Sequence, residues 1–184
     1  MRKRLILATL ALAGAMALSG CGGSKSASKN GKILTIEEGP DVETIDPALN
    51  QSADGANYIT MISDNLLRID KDGKIAPSMA EKYEVSDDGL TWTFHLRDGL
   101  KWSDGSDFKA NDFVYSWQRM VDPEVAAPYA ETVLGMVDGY NDAIGNPDAN
   151  GNTTTTPDRT KLKVEAPDDK TLVVHMSHPT PYFD

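Results

Sequence analysis

The residue best suited to covalent chemistry is Cys21, the only cysteine in a chain of 184 residues. It ends the tetrapeptide Leu18-Ser19-Gly20-Cys21, which follows an uncharged apolar run that starts at Leu5, behind three basic residues. The run is shorter than the roughly 20 apolar residues of a membrane span and is typical of a signal peptide. The tetrapeptide resembles a bacterial lipobox, in which a diacylglycerol is attached to the cysteine thiol. The alternative is a plain signal peptide with an unrelated cysteine.

This pattern divides the chain into three segments. Residues 1–20 are predicted to be a signal peptide, and residues 21–32 are predicted to be the lipidated cysteine and a flexible polar tether. The folded part is predicted to begin at residue 33. Because two or three acyl chains anchor a protein firmly whereas one binds marginally, we expect Cys21 to hold the chain on the outer face of the cell membrane.

No other group of residues forms a pattern that enzymes commonly use. The chain has no phosphate-binding glycine loop, no nucleophile elbow around a serine, and no metal-ligand spacing among His95, His175 and His178. His95 and His175 occupy polar positions of predicted strands, where we expect them to be solvated. We therefore predict neither enzyme activity nor a cofactor nor a metal site. The alternative is a surface hydrolase whose site is completed by residues outside this sequence.

One acidic turn resembles half of a calcium loop. Asp70-Lys71-Asp72-Gly73 has the spacing of the first part of an EF-hand, but Met79 stands where the distal acidic ligand is required. A hairpin turn is the favoured interpretation of these four residues.

The composition bounds the class of partner. The formal net charge is −10 and the isoelectric point is about 4.7, which argues against nucleic acid and anionic membrane surfaces as electrostatic partners. The length suits one domain or one and a half. Since a single thiol cannot form an internal disulfide, the folded part must be stabilised by its core.

The stretch Leu90–Val121 predicts the elements around which the domain is organised. Trp92, Phe94 and Leu96 alternate with polar residues, which indicates a half-buried strand. Apolar residues then recur at steps of three and four from residue 113 to residue 121, which indicates an amphipathic helix. Lys109 precedes this helix and has no side-chain acceptor for a cap, so we expect Ser106 or Asp107 to cap it, or a later start.

The remaining pattern predicts a mixture of strands and helices. A proline at position 123 ends the helix described above, since proline disfavours helical geometry in the residue before it. A polar loop is predicted at residues 146–157. Strands are predicted at residues 33–37, 83–85, 90–96, 162–166 and 172–176, and further helices at residues 54–67 and 126–133.

Three spaced blocks carry a resemblance to a known family. Trp92–Arg97, Gly99–Gly105 and Asn111–Arg119 resemble the signature region of the family 5 bacterial extracellular solute-binding proteins, the peptide-binding lipoproteins of ABC importers. The run Tyr115–Arg119 and the later Pro128-Tyr129 are most similar to the oligopeptide-binding branch. The resemblance covers residues 33–184 and implies an incomplete N-terminal part of a solute-binding domain. The implied fold class is α/β, part of the larger lobe of a two-lobed, type II periplasmic-binding-protein-like fold with a mixed sheet and packed helices.

The resemblance also implies which residues contact a ligand. The turn Thr44-Ile45-Asp46-Pro47, in which Asp46 is expected to bond the backbone ahead, resembles an early element of the family. In the family, the segment after this turn supplies backbone groups that pair with a bound peptide. Here that segment falls at Gln51, Ser52 and Ala53, and the alternative is a plain surface loop. Tyr129 is expected to line the peptide cleft, and the alternative is a tyrosine of the core or the rim.

The function implied is that of a lipid-anchored receptor for oligopeptides. It would bind a peptide by its backbone in a cleft between two lobes and deliver it to ABC permease and ATPase subunits. In relatives the charged anchors for the peptide termini come from later sequence, so we expect residues 33–184 alone to bind weakly and to expose an apolar patch. The alternatives are a family 5 binder of a dipeptide, nickel chelate, haem or oligosaccharide, or a truncated surface lipoprotein that binds nothing.

Overall fold

The computed structural model describes residues 34–37 and 39–183. The predicted signal peptide, the lipidation site Cys21 and the tether lie outside the described residues. Residues 34–37 belong to a separate unit and contain no strand, which corrects the strand predicted at residues 33–37. Alternating side chains alone do not make a strand, because a strand also needs a hydrogen-bonded neighbour.

Residues 39–183 contain helices and strands in a mixed order. The helices are α1 (Ala53–Ile62), α2 (Ala110–Met120), α3 (Ala130–Leu134) and α4 (Tyr140–Ile144). The strands are β1 (Leu67–Ile69), β2 (Ile75–Pro77), β3 (Ala80–Val85), β4 (Thr91–Leu96), β5 (Val164–Asp168) and β6 (Thr171–His175). A short 3₁₀ turn, Arg159–Lys161, precedes β5. Across the described residues, no helix is both long enough and apolar enough to cross a membrane.

The strands form a two-stranded hairpin, β1–β2, and a four-stranded sheet in the order β3-β4-β6-β5. The α/β class is confirmed. Every strand pair within the described residues is antiparallel. The mixed sheet that the resemblance implies would also contain parallel pairs, and the described residues include none. The hairpin turn predicted between residues 70 and 73 joins β1 to β2, where Asp70 Oδ1 accepts from the N–H groups of Asp72 at 2.8 Å and Lys74 at 3.0 Å.

One face of the four-stranded sheet forms the hydrophobic core. The alternation predicted in β4 is observed, since Trp92, Phe94 and Leu96 keep only 2–4% of their surface exposed. Leu172 and Val174 of the neighbouring β6 are fully buried, and α2 contacts both β5 and β6. Burying side chains of this size contributes about 1.5–3 kcal/mol each, so this layer supplies most of the stability.

Aromatic rings join the sheet to α2. The Trp92 ring stacks on Tyr83 with centroids 5.5 Å apart and meets Phe183 edge-on at 5.4 Å. Phe183 in turn meets Trp117 of α2 edge-on at 6.1 Å. Ring pairs of this kind contribute about 0.5–1.5 kcal/mol beyond their burial.

The opposite face of the sheet carries the two strand histidines beside acidic residues. His175 Nε2 lies 3.2 Å from Glu165 Oε1, with the His175 side chain 41% exposed, as expected for a solvated position. His95 differs from the expectation: its Nε2 is buried with no hydrogen-bond partner among the described residues. The nearest carboxylate oxygen, Glu84 Oε1, is 3.6 Å away.

The start of α2 corrects the predicted cap. Lys109 occupies the N-cap position, so neither Ser106 nor Asp107 caps this helix. An ammonium group cannot accept a hydrogen bond. Instead, the backbone N–H of Lys109 donates to Asp112 Oδ2 at 2.8 Å, and Lys109 Nζ lies 2.9 Å from Asp169 Oδ2. Half of a capping box therefore starts the helix without a side-chain cap.

Backbone geometry also moves two other helix boundaries. α1 ends at Ile62 rather than at residue 67, because Ser63 is extended, with φ −127°, and Leu67 already lies in β1. α3 begins at Ala130 rather than at residue 126, because Ala126 has φ +52°, which a right-handed helix cannot include.

The polar segment predicted at residues 146–157 is irregular, apart from an isolated bridge between Pro147 and Thr153. The sequence pattern does not predict α4, which precedes this loop. That helix has five residues between Gly139 and Gly145, both with positive φ, and is too short to display a helical period.

Candidate functional site

The predicted ligand-contacting segment, Gln51 to Ala53, lies between an ordered turn and the first residue of α1. All three residues are exposed. Neither the N–H nor the C=O of Gln51 has a partner within the described residues, and the N–H of Ala53 also has none. The segment therefore offers backbone donors and an acceptor to an external partner.

Ser52 is held differently from its two neighbours. Its N–H donates to Asn50 Oδ1 at 3.3 Å, and its C=O accepts from Asn50 Nδ2 at 2.9 Å and from the N–H of Ala56 at 3.1 Å. Its hydroxyl Oγ accepts from the N–H of Gly55 at 3.0 Å and thereby caps α1. The backbone groups of Ser52 are thus hydrogen-bonded within the chain, and these bonds fix the residue that follows Gln51.

Gly55 leaves room for these hydrogen bonds between Asn50 and Ser52. A Cβ atom at this position would lie 2.0 Å from Asn50 Oδ1 and 2.9 Å from Ser52 Oγ. Gly55 is also the only buried residue of α1. The hydrogen-bonded group Asn50, Ser52 and Gly55, called here the Asn50 clamp, requires glycine at its base.

The turn before the clamp behaves as the sequence predicts. Asp46 Oδ1 accepts from the N–H of Ala48 at 3.0 Å, and the Asp46 C=O accepts from the N–H groups of Leu49 at 3.1 Å and Asn50 at 3.0 Å. Thr44 Oγ1 accepts from the N–H of Asp46 at 3.0 Å. A continuous run of local hydrogen bonds therefore leads from Thr44 to α1.

A long-range ion pair, which the sequence reasoning missed, fixes this turn. Arg119, in the last turn of α2, donates from Nη1 to Asp46 Oδ1 at 3.1 Å and from Nη2 to Asp46 Oδ2 at 2.6 Å. The hydrogen bond from Arg119 is the main reason that the pKa of Asp46 lies below its usual value, and the same contact raises the pKa of Arg119. Both residues belong to blocks singled out from the sequence, but no spacing pattern links positions so far apart.

Tyr129 caps α3 and is 47% exposed, so it is not a core residue and the rim position remains the alternative. Its C=O accepts from the N–H of Val133 at 3.0 Å. No hydrogen bond or ring contact joins Tyr129 to residues 51–53 in the described part of the chain. The described residues thus show no direct bond between Tyr129 and the segment Gln51 to Ala53.

An open apolar groove of about 530 Å³ lies beside the sheet. Its lining includes groups from β4, α2, α3 and the segment before β1, among them Leu66, Phe94, Trp117 and Val133. Elsewhere in residues 34–37 and 39–183, no group of three or more His, Cys, Asp or Glu side chains is arranged to hold a metal ion.

Comparisons with known proteins relate this arrangement to a family. Residues 74–184 match the family described as bacterial extracellular solute-binding proteins, family 5 Middle. The chain is 39% identical over 153 residues to the periplasmic oligopeptide-binding protein OppA of Escherichia coli K12. It is 37% identical over 152 residues to the probable deoxycholate-binding periplasmic protein YgiS of the same strain. In both cases the match covers 83% of this chain and 26–27% of the relative.

A solved relative gives the same result for the fold. The crystal structure of Haemophilus influenzae OppA in complex with the peptide RPPGFSPFR superposes with a TM-score of 0.69 at 37% identity, over 79% of this chain and 27% of that one. The chain therefore spans about a quarter of the length of these relatives. Proteins of this family bind solutes for transport and are not enzymes. With a family match over residues 74–184 and an α/β fold shared with a solved relative, this chain belongs to the family 5 bacterial extracellular solute-binding proteins.

Proposed function

We propose that the chain is part of the lipid-anchored substrate-binding component of an ABC importer, which captures oligopeptides and delivers them to permease and ATPase subunits. Its similarity to an oligopeptide-binding protein solved with a nine-residue peptide supports this ligand class. The partnership with permease and ATPase subunits follows from the family resemblance of the blocks between Trp92 and Arg119.

The observation that carries the proposal is the backbone of Gln51, whose N–H and C=O have no partner among residues 34–37 and 39–183. An extended peptide adds to an exposed edge by pairing its own N–H and C=O groups with those of the receptor. Gln51 offers one of each, and Ala53 offers a further donor. Because every peptide carries the same backbone, this contact is independent of the ligand's sequence. Ser52 acts in this scheme by holding Gln51 in place.

Tyr129 contributes a wall of the cleft through its exposed ring. Peptide side chains enter roomy pockets where bridging waters adapt to each one, and a second lobe closes over the ligand by a hinge. The family resemblance implies that the remaining walls come from later sequence, and the match covers 26% of the Escherichia coli relative. Residues 33–184 alone are therefore expected to bind peptides weakly.

The membrane attachment rests on Cys21. Acylation of its thiol places the domain on the outer face of the membrane, at the end of the polar tether of residues 21–32. Cys21→Ser separates attachment from binding: the variant lacks the acyl group by mass spectrometry and leaves the membrane fraction, but binds peptide like the parent. A Cys21→Ser protein that stays acylated contradicts the anchor.

The binding proposal is tested with the full gene product and the peptide RPPGFSPFR. Ligand that binds only the folded state raises its stability by about 2.7 kcal/mol at ~100 times the Kd, which is measured as a rise in Tm. Tyr129→Ala is expected to weaken binding by calorimetry, whereas Tyr115→Ala, which removes a tyrosine that is 59% exposed on α2, leaves it unchanged. The absence of a rise in Tm with peptides of several lengths overturns the proposal.

A second candidate ligand is a bile-acid-like amphiphile. It is favoured by the similarity to a probable deoxycholate-binding protein and by the apolar groove of about 530 Å³. Separate thermal shifts with deoxycholate and with peptide distinguish the two ligands. A rise in Tm with deoxycholate alone favours the amphiphile, and a rise with peptide alone favours the oligopeptide.

A further inference from the structure

The segment that presents Gln51 is weakly attached to the rest of the domain. None of residues 39–52 is fully buried, and six of them are half-buried. Its backbone bonds are local, and within the described residues its only hydrogen bonds to the chain beyond residue 56 are the two between Arg119 and Asp46. Among the described residues, this ion pair is therefore the hydrogen-bonded link between the segment and the core.

Arg119 is a firm support for such a contact. It lies in the last turn of α2, an 11-residue helix whose Ala110 and Val114 are buried against the sheet. A guanidinium that grips a carboxylate with two parallel bonds fixes orientation as well as distance. The carboxylate of Asp46 is thus held at a defined place above α2.

The constraint continues from Asp46 to Gln51 without a gap. Asp46 bonds the N–H groups of Ala48, Leu49 and Asn50. Asn50 then bonds both backbone groups of Ser52. Gln51 lies between Asn50 and Ser52, which are linked to α2 through this series of hydrogen bonds. The directions of the Gln51 N–H and C=O are therefore fixed as well.

We propose that the Asp46–Arg119 ion pair positions the ligand-binding segment, because it orients the exposed backbone of Gln51 for a peptide. The inference rests on the proposed function. Both side chains are about one-third exposed, and pairs of this exposure contribute little to global stability. The main effect of the pair is therefore to keep residues 44–52 in one conformation. Without the pair, a ligand must restore that conformation when it binds.

The test compares Asp46→Asn, Arg119→Gln and the double variant in the full gene product, with RPPGFSPFR as the probe. In Asp46→Asn the side-chain amide oxygen can still accept from the N–H of Ala48, so the turn can still form, but the charge that holds it against Arg119 is lost. If the ordered segment is populated about one-tenth of the time, the apparent Kd rises about tenfold. Because both single variants break the same contact, the double variant is expected to bind no worse than either.

A matched control is available in a second arginine–aspartate pair. Arg159 Nη1 lies 3.3 Å from Asp122 Oδ2, with side-chain exposures of 43% and 24%, and neither side chain is hydrogen-bonded to residues 39–56 in the described part of the chain. Asp122→Asn is expected to leave the Kd unchanged. An equal loss of affinity in this control overturns the positioning role, because it would reflect general loosening.

Amide exchange provides a readout that a merely structural role does not move. In Asp46→Asn, the amides of Leu49, Asn50 and Gly55 are expected to lose protection while those of β4 and β6 keep it. A uniform loss of protection contradicts the inference. If the neutral variants do not fold, Arg119→Lys keeps the charge without the two-pronged geometry and is expected to bind with an intermediate Kd; affinity equal to the parent overturns the inference.

The outcome for the parent protein separates the two proposals. If the parent binds no peptide, the proposed function fails. If the parent binds, and Asp46→Asn and Arg119→Gln each bind as tightly as the parent, the proposed peptide binding stands. The positioning role of the ion pair then fails.

Discussion

The four-stranded sheet and the loop of residues 39–52 are held by different forces. The sheet buries rows of large apolar side chains, such as Phe94 at 2% exposure and Leu172 at 0%. The loop buries none of its residues and is held by local hydrogen bonds and the Asp46–Arg119 pair. The comparison indicates that one region provides stability while the other provides exposed backbone in a fixed orientation.

The largest expected effect is on the sheet. Phe94→Ala removes a ring that contacts Tyr83 and Trp92 and is expected to lower the free energy of unfolding by about 3–5 kcal/mol, measured by urea denaturation. Tyr182→Ala is the control, because that side chain is 71% exposed. A loss below about 1 kcal/mol for Phe94→Ala contradicts the assignment of the core.

The next effect separates binding from stability in the loop. Gly55→Ala drives Asn50 away from Ser52, which releases the Asn50 clamp. Losing the two bonds between Asn50 and the backbone of Ser52 costs about 1–3 kcal/mol, of which alanine in a helix regains about 1 kcal/mol, so Tm is expected to fall less than in Phe94→Ala. Peptide Kd is expected to rise about tenfold, as for any binding state reduced to about one-tenth of the population.

Asn50→Ala is the companion variant to Gly55→Ala. It opens the same clamp without a steric clash and is expected to give the same loss of affinity. Parental affinity in both variants would mean that the clamp does not orient the ligand-binding backbone.

A smaller effect is expected at the start of α2. Lys109→Thr supplies the side-chain acceptor that lysine lacks and gives up an exposed contact with Asp169. For a chain of this size, a gain typical of a helix cap corresponds to a rise in Tm of roughly 2–4 °C. Lys109→Ala, which lacks the acceptor, serves as the control and should show no rise. An equal rise in both variants would assign the gain to something other than the cap.

The smallest effect concerns acid. The pKa of Asp46 is lowered in the folded state, so its contribution is present above the unfolded pKa of about 3.9. It is lost as pH falls through the folded value. The difference in unfolding free energy between the parent and Asp46→Asn is expected to be below about 1 kcal/mol at neutral pH and to shrink below about pH 4. A difference that grows on acidification contradicts the assigned direction.

The same contrast explains what the sequence could predict. The alternation of Trp92, Phe94 and Leu96 predicts β4 because burial on one face of a strand produces a period of two. The turn at Asp46 is predicted for a local reason, since its side chain bonds residues close by. The clamp is also local, but the sequence pattern alone did not reveal its geometry.

What could not be predicted depends on distant partners or on single backbone angles. Arg119 reaches Asp46 across 73 positions, and no periodic pattern records such a pair. The positive φ of Ala126 excludes that residue from α3, and its residue type does not favour this conformation. The start of α2 depends on the hydrogen bond from the backbone N–H of Lys109 to the carboxylate of Asp112. The lysine side chain itself predicts a poor cap.

The strand order has a consequence for how the domain folds. β3 and β4 are neighbours in the chain, but β4 must also pair with β6, where Thr91 and His175 lie 84 positions apart. Closing a loop of this length costs entropy before the contacts that reward it can form, so pairing of this kind is slow. The β3–β4 hairpin therefore exposes its apolar face until β6 has paired with β4, and the chain is prone to aggregation during this interval.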